Sequence, residues 1–206
     1  MNVLENLINN LIKNGYLKTP EIINAFRKID RVDFVSKELK SEAAANTPLP
    51  IGYEQTISQP LTVAFMLELL EPKEGNKILD VGSGSGWQSS LLAYIVGKEG
   101  KVFAIERIPE LSEFGRENSQ KYNFENLEFI AGDGSRGYEK EALYDRIIVA
   151  ASAFREIPAK LKKQLKIGGR LVVPVENSIW LVIKKAKDEY EGKEFPGFIF
   201  VPLVEE

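Results

Sequence analysis

The chain has 206 residues, 44% of them hydrophobic, and a formal net charge of −3. That length and apolar content suit one folded domain with a substantial core, and the balance of charge creates no overall attraction for nucleic acid or an anionic membrane surface. It contains neither cysteine nor histidine, which excludes disulfides, thiolate chemistry, histidine general bases and zinc sites built on those ligands.

The opening "MNVLENLINNLIKNGYL" lacks the basic and apolar regions of a secretory signal, and no stretch approaches the roughly 18 apolar residues of a membrane span. A cytoplasmic protein is expected. Val3, Leu4, Leu7, Ile8, Leu11 and Ile12 recur at helical spacing, and Asn14-Gly15 ends that helix. Thr19-Pro20-Glu21 reads as the cap and first turn of a second helix, with Ile22, Ile23, Phe26 and Ile29 on one face. "TPLPIGYEQTISQP" is rich in turn residues and predicts a loop; Leu61 to Leu70 predicts a helix.

The pattern then changes to alternation. "KILDVG", "KVFAIE", "LEFIAGDG" and "YDRIIVAAS" read as strands, with helices at "WQSSLLAYIVG" and "PELSEFGRENSQKY". "PAKLKKQLKIGG" predicts a helix closed by glycines, followed by strands "RLVVPV", "IWLVIKKAK" and "FIFVPLV". Strand–helix alternation implies a doubly wound, mostly parallel α/β sheet, here of seven strands. The last two strands have no helix between them, so the C-terminal edge should be antiparallel. One domain is expected over 1–206, with N-terminal helices and a substrate-facing loop in 1–72 and the sheet core in 73–206. The lysines at 160, 162, 163 and 166, and at 184, 185 and 187, read as solvated faces.

Gly82, Gly84 and Gly86 follow the first sheet strand and open a helix, where backbone N–H groups can meet a ligand. Glu106, at the end of the next strand, is placed to accept from both hydroxyls of a ribose. A dinucleotide turn would want a third glycine where Trp87 stands. Asp80, two residues before the glycines, suits a cationic ligand, so S-adenosyl-L-methionine fits better than a pyrophosphate. Asp133 in "AGDG" could accept from the adenine amino group, with Gly134 giving an N–H; the alternative for Asp133 is a turn aspartate. Ser58 has no histidine to activate it. It either caps the helix beginning near Pro60 or donates a hydrogen bond to a substrate.

At "PLPIGYEQTISQP", "LDVGSGSGWQS", "IERIPEL", "GDGSRGY", "YDRIIVAAS", "EIPAKLKKQLKIGGRLVVPV" and "FVPLV" the chain resembles the protein-L-isoaspartate O-methyltransferases over nearly its whole length. The resemblance implies a Rossmann-like methyltransferase fold and repair of isoaspartyl residues by methylation of their α-carboxylate. It implies S-adenosyl-L-methionine as cofactor, S-adenosyl-L-homocysteine as product, and no metal. Its active-site serine falls on Ser58, within a substrate segment of Thr56, Ile57, Ser58 and Pro60. The candidate cofactor residues are Asp80, Gly82, Ser83, Gly84, Gly86, Glu106, Arg107, Asp133 and Gly134. The expected partners are isoaspartyl proteins and peptides, with no nucleic acid or membrane, for a monomer. The alternative is an O-methyltransferase for another peptide or small-molecule carboxylate. Three departures lie toward the expected acceptor: Glu54 replaces the second glycine of G-x-G-Q-T-I-S, Leu61 stands where many members have His or an aromatic, and "AASAFREIP" replaces an alanine-rich run. Asn14-Gly15 is prone to deamidation, so aged protein is expected to become its own substrate there unless the helix cap restrains Gly15.

Overall fold

The computed structural model describes residues 3–204. Two helices, α1 (Val3–Lys13) and α2 (Pro20–Lys28), lead into a hairpin of β1 (Leu49–Gly52) and β2 (Gln55–Ile57), then α3 (Pro60–Leu70). The expected loop is therefore an antiparallel hairpin, with Leu49 opposite Ile57. Its tip, Tyr53 and Glu54, lies in the left-handed region at φ 53° and 58°. That is where glycine costs least, and it accounts for the glycine that Glu54 replaces. Thr19 does not cap α2 with its side chain. Its hydroxyl donates instead to Glu68 on α3 (2.7 Å), which also accepts from the N–H groups of Lys18 and Thr19.

The main sheet consists of β3 (Lys77–Val81), β4 (Lys101–Glu106), β5 (Leu127–Ala131), β6 (Tyr144–Val149), β7 (Leu165–Val175), β8 (Ser178–Ala186) and β9 (Glu189–Pro196), in the order β5-β4-β3-β6-β7-β8-β9. The first five in that order are parallel, and β7-β8-β9 are antiparallel. Strand alternation sends Ile78, Val102, Ile148 and Val172 into a core shared with α1, α2, α3 and α4 (Trp87–Val96). Leu79, Val81, Phe103, Ile105, Ile147 and Val149 go into a second core on the other face, capped by Leu161 of α6 (Ala159–Lys163). A further helix, α5 (Pro109–Ser119), packs on β4 and β5. Among the described residues no helix is long and apolar enough to cross a membrane.

Two expected elements differ. The helix at "PAKLKKQLKIGG" ends at Lys163, and Leu165 already begins β7. Gln164 ends it: its side chain accepts from Tyr138 N–H (2.9 Å) and donates to the Arg136 carbonyl (2.8 Å), while its own carbonyl accepts from Tyr144 N–H. Gly168, at φ 79°, lies where the register with β6 shifts, so the glycines make a bulge rather than a cap. "FIFVPLV" is not a strand of the sheet; the charged "EYEGKEFP" is. An edge strand with one side in solvent tolerates Lys, Glu and Pro, and the apolar tail turns away after Gly197 (φ 99°). Val201 and Leu203 then bond Ser152 through their backbones.

α1 ends with Gly15 at φ 75°, as its sequence predicts. Gly15 N–H donates to the Ile12 carbonyl (3.0 Å), and Asn14 Nδ2 donates to the Asn10 carbonyl (2.7 Å). Ring closure needs that Gly15 nitrogen as nucleophile, so the cap opposes the deamidation expected from the dipeptide alone. Native protein aged at neutral pH should keep Asn14 intact by peptide mapping, while protein aged in urea should deamidate there. Equal rates in both would mean that the cap gives no protection.

Candidate active site

The three glycines after β3 are all in the left-handed region, at φ 79° (Gly82), 49° (Gly84) and 85° (Gly86). Other residues would incur about 1–2 kcal/mol at each, which explains the alternate spacing. The turn is tied to β4: Gly82 and Ser83 N–H groups donate to the Ile105 carbonyl, at 2.8 and 3.1 Å. Gly84 N–H donates to Glu106 Oε2 (2.9 Å), and Ile108 N–H donates to its Oε1 (3.0 Å). Both oxygens of this buried carboxylate keep a further lone pair for a ligand hydroxyl.

The pocket lies at the carboxyl ends of the strands, where β3 has β4 on one side and β6 on the other, the switch point of a doubly wound sheet. Gly82, Ser83, Gly84, Glu106, Arg107, Asp133 and Gly134 line it, as do Thr56, Ile57 and Ser58. Ser83 Oγ is buried without a hydrogen-bond partner among the described residues. Asp133 accepts from Ser135 N–H (2.8 Å) and faces Arg136 at 3.5 Å, so its turn role and its place in the pocket coexist. A Cβ on Gly134 would lie 2.5 Å from the Val81 side chain, so only glycine fits that approach.

Three predicted residues are not in the lining. Asp80 is fully buried, accepting from Gln88 Nε2 (2.8 Å) and Ser89 Oγ (2.6 Å). It braces the glycine turn against α4 rather than facing the pocket. Gly86 permits helix contact, since a Cβ there would lie 2.6 Å from the Gly115 carbonyl oxygen of α5. Pro60 is the buried first residue of α3. The N-cap of α3 is Gln59, one residue past Ser58, and Asn46 Oδ1 accepts from Leu61 N–H (2.9 Å). Ser58 thus does not cap the helix, and its hydroxyl makes no hydrogen bond to another of the described residues. Trp87, Gln88, Ile51, Ala150, Ala151 and the tail from Val201 to Val204 also line the pocket. The tail was legible only as a family motif, and the apolar lining carried no signal of its own.

A doubly wound sheet with an antiparallel C-terminal edge, and a glycine turn held by the acid ending the next strand, defines the class: a Rossmann-like methyltransferase. The chain belongs to the protein-L-isoaspartate(D-aspartate) O-methyltransferase family, whose profile matches residues 2–206. It is 47% identical to the protein-L-isoaspartate O-methyltransferase of Ignicoccus hospitalis, covering 97% of this chain and 96% of that one. It is 50% identical to protein-L-isoaspartate O-methyltransferase 2 of Archaeoglobus fulgidus, over 89% of this chain and 84% of that one. A crystal structure from Plasmodium falciparum, described as a protein of this kind in complex with S-adenosyl-L-homocysteine, superposes with a TM-score of 0.88 at 25% identity and covers both chains fully.

Burial pushes the Asp80 carboxyl up to about 6, with the Ser89 and Gln88 hydrogen bonds opposing the rise and the Glu106 charge adding to it. The folded state therefore holds a proton that the unfolded chain has lost above its ordinary carboxylate value. The stability this contributes is full below about pH 4 and lost as pH rises through about 6, a span worth roughly 3 kcal/mol. Asp80→Asn stays neutral throughout. Its stability relative to the native protein should improve by up to about 3 kcal/mol between pH 4 and 7, measured by urea unfolding. A difference constant with pH would mean that Asp80 does not titrate in this range.

Proposed function

We propose that the protein methylates the free α-carboxylate of L-isoaspartyl residues in damaged proteins and peptides, using S-adenosyl-L-methionine and releasing S-adenosyl-L-homocysteine. The resulting ester closes to a succinimide that can open to normal aspartate. One observation carries this reading. Thr56, Ile57 and Ser58 form a wall of the same pocket that the glycine turn lines, in a chain matched by the isoaspartate family over residues 2–206.

When bound, S-adenosyl-L-methionine supplies an electrophilic methyl group on a sulfonium. The residues present fit it. Glu106 has acceptor capacity for the ribose hydroxyls beyond its two backbone bonds. Ser83 Oγ is a buried polar atom without a partner among the described residues. Gly82, Gly84 and Arg107 line the same space, and Asp133 with Gly134 N–H suits an adenine edge. The acceptor carboxylate, with a solution pKa near 4, is already ionised at neutral pH. No general base is required, in keeping with a chain that has no histidine. Ser58 Oγ donates to that carboxylate and orients it, and orientation of this kind can be worth about 7–11 kcal/mol. We further read the protein as a cytoplasmic monomer whose partners are isoaspartyl proteins rather than nucleic acid or membrane; the net charge of −3 supports the latter part.

Methyl transfer from labelled S-adenosyl-L-methionine to an isoaspartyl peptide and its L-aspartyl twin tests the acceptor. The two differ by one backbone carbon, so only the first should be labelled; equal labelling would favour a general carboxylate methyltransferase. Ser58→Ala tests the orienting donor. Because Gln59 is the N-cap of α3, the substitution should change stability by no more than about 0.5 kcal/mol. Turnover should fall about tenfold to a thousandfold, as when a catalytic hydrogen-bond donor is removed, with S-adenosyl-L-homocysteine affinity unchanged. Full turnover in the folded variant would remove Ser58 from the mechanism.

A further inference from the structure

Arg31 is the largest fully buried side chain, 1% exposed, in the short turn Arg31–Phe34 between α2 and the hairpin. No carboxylate lies within ion-pair distance of it among the described residues. Its Nη1 donates to the carbonyls of Ala43 (2.9 Å) and Ala45 (3.2 Å). Its Nη2 donates to those of Thr47 (2.9 Å), Ile57 (3.4 Å) and Ser58 (3.1 Å). The guanidinium lies 5.6 Å from the centroid of the Trp87 ring. Burial lowers its pKa only to about 10, so it remains a cation at neutral pH.

Its contacts are specific in two directions. Two of the carbonyls belong to the segment that carries Ser58, and Trp87 is the first residue of α4, directly after the glycine turn. Trp87 is itself fixed, donating its Nε1–H to the Ile29 carbonyl (3.1 Å) and packing edge-on against Phe26 (5.4 Å). Arg31 therefore joins the acceptor wall to the turn side of the pocket without lining the pocket. In a trans peptide the N–H points opposite the C=O. Turning the Ile57 and Ser58 carbonyls toward the cation thus directs the N–H groups of Ser58 and Gln59 away from it, and neither donates to an acceptor among the described residues.

We propose that Arg31 is a positioning residue for methyl transfer: its grip on the Ile57 and Ser58 carbonyls, with its cation–π contact to Trp87, sets Ser58 in register with the glycine turn. This rests on the reading that Ser58 orients the acceptor. An apolar residue could fill the volume, but it could not hold five carbonyls from two segments. A lysine would keep the charge and stem with three donors in place of five, and without the planar fork.

Arg31→Lys is therefore the decisive variant, with Arg31→Met as the harsher comparison if it folds. For the lysine variant, S-adenosyl-L-homocysteine affinity by calorimetry should stay within about threefold, since the glycine turn and Glu106 are untouched. Its kcat for an isoaspartyl peptide should fall at least about tenfold, and amide exchange at Leu61, whose N–H is held by Asn46 Oδ1 across the two segments that Arg31 joins, should quicken at least about tenfold while Gly82 and Gly84, bonded to β4, exchange as before. Ser58→Ala combined with Arg31→Lys should be little worse than Ser58→Ala alone, because both remove the same orientation. Unchanged exchange at Leu61, or losses of kcat and of S-adenosyl-L-homocysteine affinity that fall in step, would overturn the proposal. The exchange and calorimetry arms need no turnover. Failure of the native protein to methylate an isoaspartyl peptide would thus sink the repair reading while leaving Arg31 to be judged by them.

Discussion

Glu106 holds the site together. One carboxylate ties the glycine turn after β3 to the backbone leaving β4, accepting from Gly84 N–H at 2.9 Å and Ile108 N–H at 3.0 Å. A turn with three left-handed glycines at alternate positions is otherwise free to sample many shapes, since glycine loses more conformational freedom on folding than any other residue. Anchoring it to the neighbouring strand selects one of those shapes. The same bonds leave the carboxylate at the pocket surface, so the residue that shapes the turn is also the one presented to a ligand. Asp80 completes the support from below by fixing Gln88 and Ser89 of α4. Turn, helix and the two central strands thus become one rigid unit at the switch point of the sheet.

The pocket wall formed by Thr56, Ile57 and Ser58 comes from a different part of the chain and has to be brought to that unit. The hairpin is short and makes no strand of the main sheet. Packing supplies part of the attachment: Leu49 and Ile57 are buried in the core shared with α2, α3 and α4. Ile51 reaches over the turn, close enough that a Cβ on Gly84 would lie 3.2 Å from its terminal methyl. Arg31 supplies the polar part. A buried cation held by carbonyl dipoles at Nη1 and Nη2, with its Nε unpartnered among the described residues, costs several kcal/mol of desolvation, which hydrogen bonds in a low-dielectric interior offset only in part. Such an arrangement is a weak source of stability and a strong source of unique geometry.

Legibility in the sequence followed how local each determinant is. The parallel strands from Lys77 to Val149 and the helices between them are set by apolar runs and glycine stops, and the structure follows both. The tail misled because "FIFVPLV" has strand composition, whereas "EYEGKEFP" has the charge of a loop. What decides between them is the hairpin turn beyond Ala186 and the exposed edge of β8, neither of which is an apolar signal. Of the residues the pocket gathers, Glu106 was readable from its place at the strand end after the glycine turn, and the Ser58 segment from the family motif. Asp80 was misplaced for the converse reason: strand alternation sends it to the opposite face from Leu79 and Val81, into the α4 side of the sheet. Arg31 carried no signal, since its five partners are backbone carbonyls up to 27 residues away.

The placement of charge has a logic that follows from the proposed reaction. Methyl transfer from a sulfonium to a carboxylate consumes one positive and one negative charge. Any contact that grips either charge tightly is therefore stronger before the transition state than in it, and it raises the barrier. Neutral donors such as the Ser58 hydroxyl escape this penalty, because they orient an oxygen at a modest cost in ground-state stabilisation. The buried charges sit one layer back from the reacting space: Asp80 beneath the turn, engaged by Gln88 and Ser89, and Arg31 behind the acceptor segment, engaged by carbonyls. Each shapes the groups that line the pocket without forming an ion pair inside it. Histidine would add little to such a site, since the nucleophile arrives ionised and its leaving partner departs without needing a proton.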